Sequence, residues 1–198
     1  MQFEYKTERL ILKIVRPEAA EQVLDFYLRD KELFERYEPE RIPGFYTVEK
    51  LRQLTALEYN AAIKGNIFRF YIYRKGHAEQ IIGTICFHDI QKGASRCEIG
   101  YKFSSEYHHK GYATEALCAI TQAIFRELGL HRIMAWALPD NVASARLLAR
   151  VGFTYEGISR DFLFIQGRWR DHAQFSMINP DYRAKASGGV HSSSGHSQ

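Results

Sequence analysis

Cysteine is scarce in this chain, and what there is of it lacks metal or disulfide spacing. The 198 residues hold 3 cysteines, 2 tryptophans and 5 prolines. Cys86, Cys97 and Cys118 sit in apolar segments with no Cys-x-x-Cys pair, so buried reduced thiols are expected and a disulfide framework is excluded. His77, His88, His131 and His172 are scattered without the paired spacing of zinc ligands, so no metal is expected. No apolar run approaches membrane-spanning length, and Met1 to Arg9 has no apolar leader segment, so a cytoplasmic protein without membrane contact is expected. The spacings of a P-loop and of a dinucleotide fingerprint are both missing, which argues against ATP and NAD. Ser159 and Ser176 lack a nucleophile-elbow context.

What remains is the composition of one globular domain. Hydrophobic residues make up 45% and aromatics 14%, enough to build a core without disulfides or metal. The 27 basic and 23 acidic residues are interspersed, and the net charge of +4 reads as a solvated surface with some attraction for phosphate. One domain over residues 1–183 is expected, followed by a disordered Ser/Gly/His tail over 184–198.

Periodicity gives the order of elements. Arg9 to Val15 reads as a strand, followed by a helix entered at Pro17. A second helix runs from a Thr47 N-cap to Gly65, and Glu38 to Phe45 reads as the loop before it. Ile67 to Tyr73, Gln80 to Ile90 and Arg96 to Phe103 form an antiparallel meander. A helical stripe through Ala116, Ile120 and Ile124 is closed by Gly129, and His131 to Leu138 returns as a parallel strand. A helix from Asn141 to Arg150 and two strands turned at Gln166-Gly167 complete the fold.

His108-His109-Lys110-Gly111-Tyr112-Ala113-Thr114 joins a strand to a helix. The unpaired N–H groups of a helix start, with the positive end of its dipole, make an anion site, and Gly111 lets backbone come close to a ligand oxygen. The segment predicts a diphosphate loop.

Together with Asn141-x-x-Ser144-x-Arg146 and Gly152-Phe153-x-x-Glu156-Gly157, this loop resembles the GNAT superfamily of N-acetyltransferases. The likeness runs from about Thr7 to Ile178 and is closer to the branch that acetylates ribosomal-protein N-termini, which ends in a hairpin like Arg160 to His172. The resemblance implies an α/β (α+β) fold with a mixed, mostly antiparallel sheet of six to seven strands whose central parallel pair splays apart. It implies an acetyl-CoA-dependent enzyme that joins the acetyl group to a primary amine by direct attack.

The resemblance also assigns residues. Tyr101, Phe103, His108, His109, Lys110, Gly111, Tyr112, Ala113, Thr114, Asn141 and Arg146 are expected along the cofactor. Glu98 is the expected base, on the strand face opposite Cys97, Ile99, Tyr101 and Phe103. Asn141 and Ser144, one turn apart, are expected beside the sulfur, although both also suit a helix cap. Where many relatives carry a tyrosine as thiol acid, this chain has Leu148, leaving Ser144, a water or a tyrosine from elsewhere. The expected partners are acetyl-CoA and an amine acceptor, either a small molecule or a protein N-terminus, without direct nucleic-acid contact; a homodimer is allowed. Two competing readings are a non-catalytic acyl-CoA-binding protein and a basic ribosome- or RNA-binding module.

Overall fold

A computed structural model describes residues 1–182, so the expected tail lies outside the described residues. Eight strands form one sheet in the order β1-β2-β3-β4-β5-β6-β8-β7. These are β1 (Glu4–Lys6), β2 (Leu10–Lys13), β3 (Phe68–Arg74), β4 (His77–Gln91), β5 (Arg96–Phe103), β6 (Arg132–Ala137), β7 (Thr154–Ile165) and β8 (Arg168–Ile178). Only β5 and β6 pair in parallel.

The meander, the parallel return and the hairpin match expectation. The sheet has one strand more than expected, because β1 adds an edge to β2. The expected first strand is also shorter, confined to Leu10–Lys13.

Helices α1 (Ala20–Arg29), α2 (Lys31–Tyr37) and α3 (Val48–Ile63) cover one face of the sheet. There Val23, Phe26, Tyr27, Phe34 and Leu51 pack on Tyr71, Tyr73 and Ile81. Helices α4 (Tyr112–Leu128) and α5 (Val142–Val151) cover the other, with Leu117, Ile120, Ile124 and Leu148 on Phe70, Ile72, Ile85 and Ile99. Strand alternation explains the split: Tyr71 and Tyr73 face one layer and Phe70 and Ile72 the other, so the middle of β3 is buried on both faces.

Helix ends follow their signals. Thr47 caps α3 by accepting from the Lys50 N–H. Gly129 and Gly152 end α4 and α5 in the left-handed conformation, at φ 63° and 106°. Helix α2 was not expected. It is set off from α1 at Asp30, whose buried carboxylate accepts bonds from the Ser104 and Ser105 hydroxyls and from the Ser105 N–H at 3.2 Å. The helix pair is thereby tied to the end of β5.

Candidate active site

The parallel pair comes apart midway. β5 and β6 are paired only from Arg96↔Arg132 to Ile99↔Ala135, although β5 continues to Phe103 and β6 to Ala137. Each stays paired on its outer side, β5 to β4 as far as Phe103 and β6 to β8 as far as Ala137. Between Gly100–Phe103 and Trp136–Ala137 the sheet therefore holds a gap edged by backbone polar groups, the expected splay.

At its open end stands the predicted phosphate loop. Tyr107 and His108 donate their N–H groups to Ser104 and Ser105, whereas no acceptor among the described residues takes the N–H groups from His109 to Thr114. Glu115 is the first residue to close the helical ladder, on the Gly111 carbonyl at 3.0 Å. His109 and Gly111 both adopt positive φ, 59° and 79°, which bends the backbone into a concave run of donors at the α4 N-terminus. This arrangement suits a diphosphate.

A clamp that sequence reasoning missed holds the loop. The Arg9 Nη1–H donates to the Lys110 carbonyl at 3.0 Å, while Glu115 accepts from the Arg9 side chain at 2.6 Å, the Arg9 N–H at 2.8 Å and the Thr7 hydroxyl at 2.6 Å. The guanidinium also lies over the Tyr112 ring. Gly111 is needed for its conformation, while a Cβ there would meet Arg9 Nη2 at 3.2 Å and press on the end of the clamp. The only sequence signal was a glutamate in the first turn of a helix.

The other expected residues divide by location. Tyr112, Ala113, Thr114, His109, Lys110 and Gly111 all lie on the loop or the first turn of α4. The His108 ring turns back to the Phe103 carbonyl at 3.0 Å. The Phe103 side chain is in the core, over the space that Gly83 leaves, so only its backbone edges the gap. Asn141 caps α5, its Oδ1 accepting from the Ser144 N–H at 3.1 Å. Arg146 is exposed on α5, with no ion pair among the described residues. Leu148, in place of the family's tyrosine, is fully buried in the core.

A tyrosine reaches Ser144 from elsewhere. Tyr101, on the parted segment of β5, brings its hydroxyl to 2.8 Å from Ser144 Oγ. Burial pushes the phenol up to about 12, with the Ser144 bond acting in the opposite direction, so it is a neutral hydroxyl at neutral pH.

Glu98 lies across the sheet from this pair. It sits opposite His88 on β4, with 3.7 Å between its carboxylate and Nδ1. Burial raises its pKa above the usual carboxylate value, assisted by the charge of Asp89 and opposed by Arg96. His88 is lowered by burial and by Arg69, which leaves it mainly a neutral neighbour. The carboxylate thus lies on one face of β5, in the paired stretch two residues before the gap, and the hydroxyl pair lies on the other face beside the gap. That arrangement can take a proton on one side and give one on the other.

No helix among the described residues is long and apolar enough to cross a membrane, and no group of histidine, cysteine and acidic residues among them could hold a metal. The thiols of Cys86, Cys97 and Cys118 are free.

Known proteins share this fold. The sequence profile of the Acetyltransferase (GNAT) domain matches residues 9–154. The chain is 31% identical over 177 residues to the [Ribosomal protein uS5]-alanine N-acetyltransferase of Escherichia coli K12, covering 89% of this chain and 91% of that one. The ribosomal-protein-S5-alanine acetyltransferase of Vibrio fischeri superposes with a TM-score of 0.86 at 29% identity, over 91% of this chain and 99% of that one. The RimJ protein of Mycobacterium smegmatis, solved in complex with CoA-disulfide, gives 0.79 at 28% identity, over 90% and 89%. The splayed strands, the open helix N-terminus and these likenesses agree, and the chain belongs to the GNAT acetyltransferase family.

Proposed function

We propose that this single domain transfers the acetyl group of acetyl-CoA to a primary amine by direct attack, and that the amine is a protein N-terminus of the kind its ribosomal relatives acetylate. The observation that carries the mechanism is the placement of Glu98 and the Tyr101–Ser144 pair on opposite faces of β5, on either side of the point where it parts from β6.

The residues present fit the donor. Its diphosphate would be held by the N–H groups from His109 to Thr114, with diffuse positive charge from Lys110 and the helix dipole. Its pantetheine amides would bond the backbone that edges the gap. The thioester supplies an activated acyl group.

The chain's own part is then proton management. An acceptor N-terminus arrives largely as ammonium and must lose a proton to become a nucleophile. Glu98, with its pKa raised, draws that proton off through a water on the α1–α3 side. Ser144, oriented by the Asn141 cap and the Tyr101 hydroxyl, gives a proton to the departing thiolate on the α4–α5 side. Entry and exit lie on different faces, so no covalent acyl-enzyme is needed.

The acceptor entrance falls between α2, the loop after it and the hairpin turn at Gln166, where Lys31, Glu35, Arg41, Phe45 and Tyr46 line a cavity of about 520 Å³. The free thiols suit a reducing compartment, and we place the protein in the cytoplasm.

The test is thiol release from acetyl-CoA with short peptides bearing a free N-terminal alanine or serine, using the same peptides with blocked N-termini as controls. Release with free termini alone supports the reading. Release only with polyamines or small amines overturns the acceptor assignment while leaving the chemistry.

A further inference from the structure

Between Glu98 and the gap stands His88. Glu98 lies in the paired stretch of β5, two residues before Gly100, where β5 and β6 begin to part. His88 is its cross-strand partner on β4 and shares its face of the sheet. The ring spans the distance between the two: Nδ1 is 3.7 Å from the Glu98 carboxylate, and Nε2 would be 3.9 Å from a Cβ built on Gly100. One nitrogen thus faces the proposed base and the other the first residue of the parted segment. Gly100 has no side chain to cover that second nitrogen.

The strand is shaped to put the ring there. The ladder of β4 with β5 is regular from Gly83 to His88 and then skips to Gln91. Within the skip Asp89 takes a left-handed conformation, at φ 46°, and accepts a bond from the Gln91 side chain at 2.8 Å. Gln91 in turn accepts from Arg96 Nε at 3.0 Å, which pins the bulge to β5. Such a bulge ends the pairing and re-aims the side chains beside it. His88 is 42% exposed, so its ring meets solvent on this face rather than filling the core.

The charged groups around the pair come from three strands and one helix. They are Asp89 on β4, Arg96 on β5, and Arg69 on β3, whose charge is taken up by Glu58 of α3. On β6 the residue level with Glu98 is Met134, which carries no charge. Burial and Arg69 keep His88 below the ordinary histidine value, so the ring is neutral at neutral pH, with one N–H and one lone pair.

Resting on the reading of Glu98 as the base, we infer that His88 is the positioning residue of the proton relay: its Nε2 holds the water through which Glu98 takes the proton of the acceptor amine, while Nδ1 faces the Glu98 carboxylate. The ammonium gives a proton to that water, and the water passes one of its own to the carboxylate. The imidazole ends the step as it began, and no further reactant is needed. The ring thereby carries the reach of Glu98 from the paired part of β5 to the gap.

The test is steady-state thiol release from acetyl-CoA across pH, with a peptide bearing a free N-terminal alanine or with whichever amine supports release in its place. His88→Phe keeps a ring over Glu98 and removes both nitrogens. Its kcat falls at least about tenfold, while the acidic limb of the pH–rate profile stays in place and acetyl-CoA binds as before. His88→Gln, whose amide reaches the position of Nε2, restores kcat to within about threefold of the unsubstituted protein. His88→Ala loses the cover as well as the nitrogens, so kcat falls and the acidic limb moves to lower pH as water returns to Glu98. An undiminished kcat in His88→Phe overturns this inference alone. A loss that His88→Gln does not restore also overturns it, since that marks a packing role. Full activity in Glu98→Gln, or no release with any amine, overturns the base reading and this inference together.

Discussion

The Tyr101 hydroxyl stands 2.8 Å from Ser144 Oγ, joining β5 to the first turn of α5 beside the place where β5 and β6 separate. The contact gives Ser144 a fixed orientation in a chain whose α5 carries Leu148 at the place of the usual tyrosine. With Glu98 on the other face, the proposed base and the proposed acid lie on the two sides of one sheet.

If the hydroxyl pair protonates the leaving sulfur, Ser144→Ala lowers kcat by about a hundredfold. The dissociation constant for acetyl-CoA changes by no more than about threefold. Tyr101→Phe has a smaller effect, because it disturbs only the orientation. The double variant falls little below Ser144→Ala, since the two residues act as a unit. Steady-state kinetics with acetyl-CoA titrations check all three; strict additivity would separate their roles.

If Glu98 is the base, the pH dependence of the rate follows its titration. Only its deprotonated form accepts the amine's proton, so the rate rises as pH climbs through its raised pKa and levels above it, until the acceptor's own titration takes over. Glu98→Gln removes this acidic limb and lowers kcat by about a hundredfold. The pH–rate profiles of the two proteins decide the matter, and identical acidic limbs would move the base elsewhere.

At Gly111, a side chain faces two obstacles: φ is 79° and Arg9 is 3.2 Å from the new Cβ. Gly111→Val weakens acetyl-CoA binding at least tenfold while costing stability on the order of 1–2 kcal/mol. Arg9→Ala weakens binding less, through the lost clamp on the Lys110 carbonyl. Isothermal titration with thermal melts separates binding from folding, and unchanged affinity in Gly111→Val would remove the phosphate role of the loop.

Asp30 supports the site from a distance. Burial alone would raise its pKa, but the bonds from Ser104 and Ser105 hold it below the ordinary carboxylate value. Its stabilisation is therefore present above about pH 4, its unfolded value, and is lost as pH falls through the lower folded one. Asp30→Ala costs about 3 kcal/mol near neutral pH, by leaving both serines at the end of β5 without their acceptor. In urea denaturation the difference from the unsubstituted protein narrows below about pH 4; a constant difference would show that the carboxylate's charge is not involved.

These relationships differ in how well the sequence displays them. The turn before α4 was legible because its signals are local: a glycine at the start of a helix whose apolar stripe is itself clear. The face of Glu98 followed from strand alternation alone. β1 was not legible, since three mostly exposed residues at a sheet edge carry no apolar period. The break between α1 and α2 depends on Ser104 and Ser105, which lie 74 and 75 positions from Asp30. The Tyr101 contact spans 43 positions, and the ion pair of Lys102 with Glu38 joins β5 to the end of α2. Long-range pairs of this kind leave no mark on local spacing, so Tyr101 was expected along the cofactor and its partner was not foreseen.

The measurement that tests the central claim most directly is a crystal structure of this protein with CoA bound. The account predicts the diphosphate on the N–H groups from His109 to Thr114, and the sulfur within hydrogen-bond reach of Ser144 Oγ, with Glu98 across the gap. A sulfur on the Glu98 side, or a diphosphate bound away from Gly111, would contradict it.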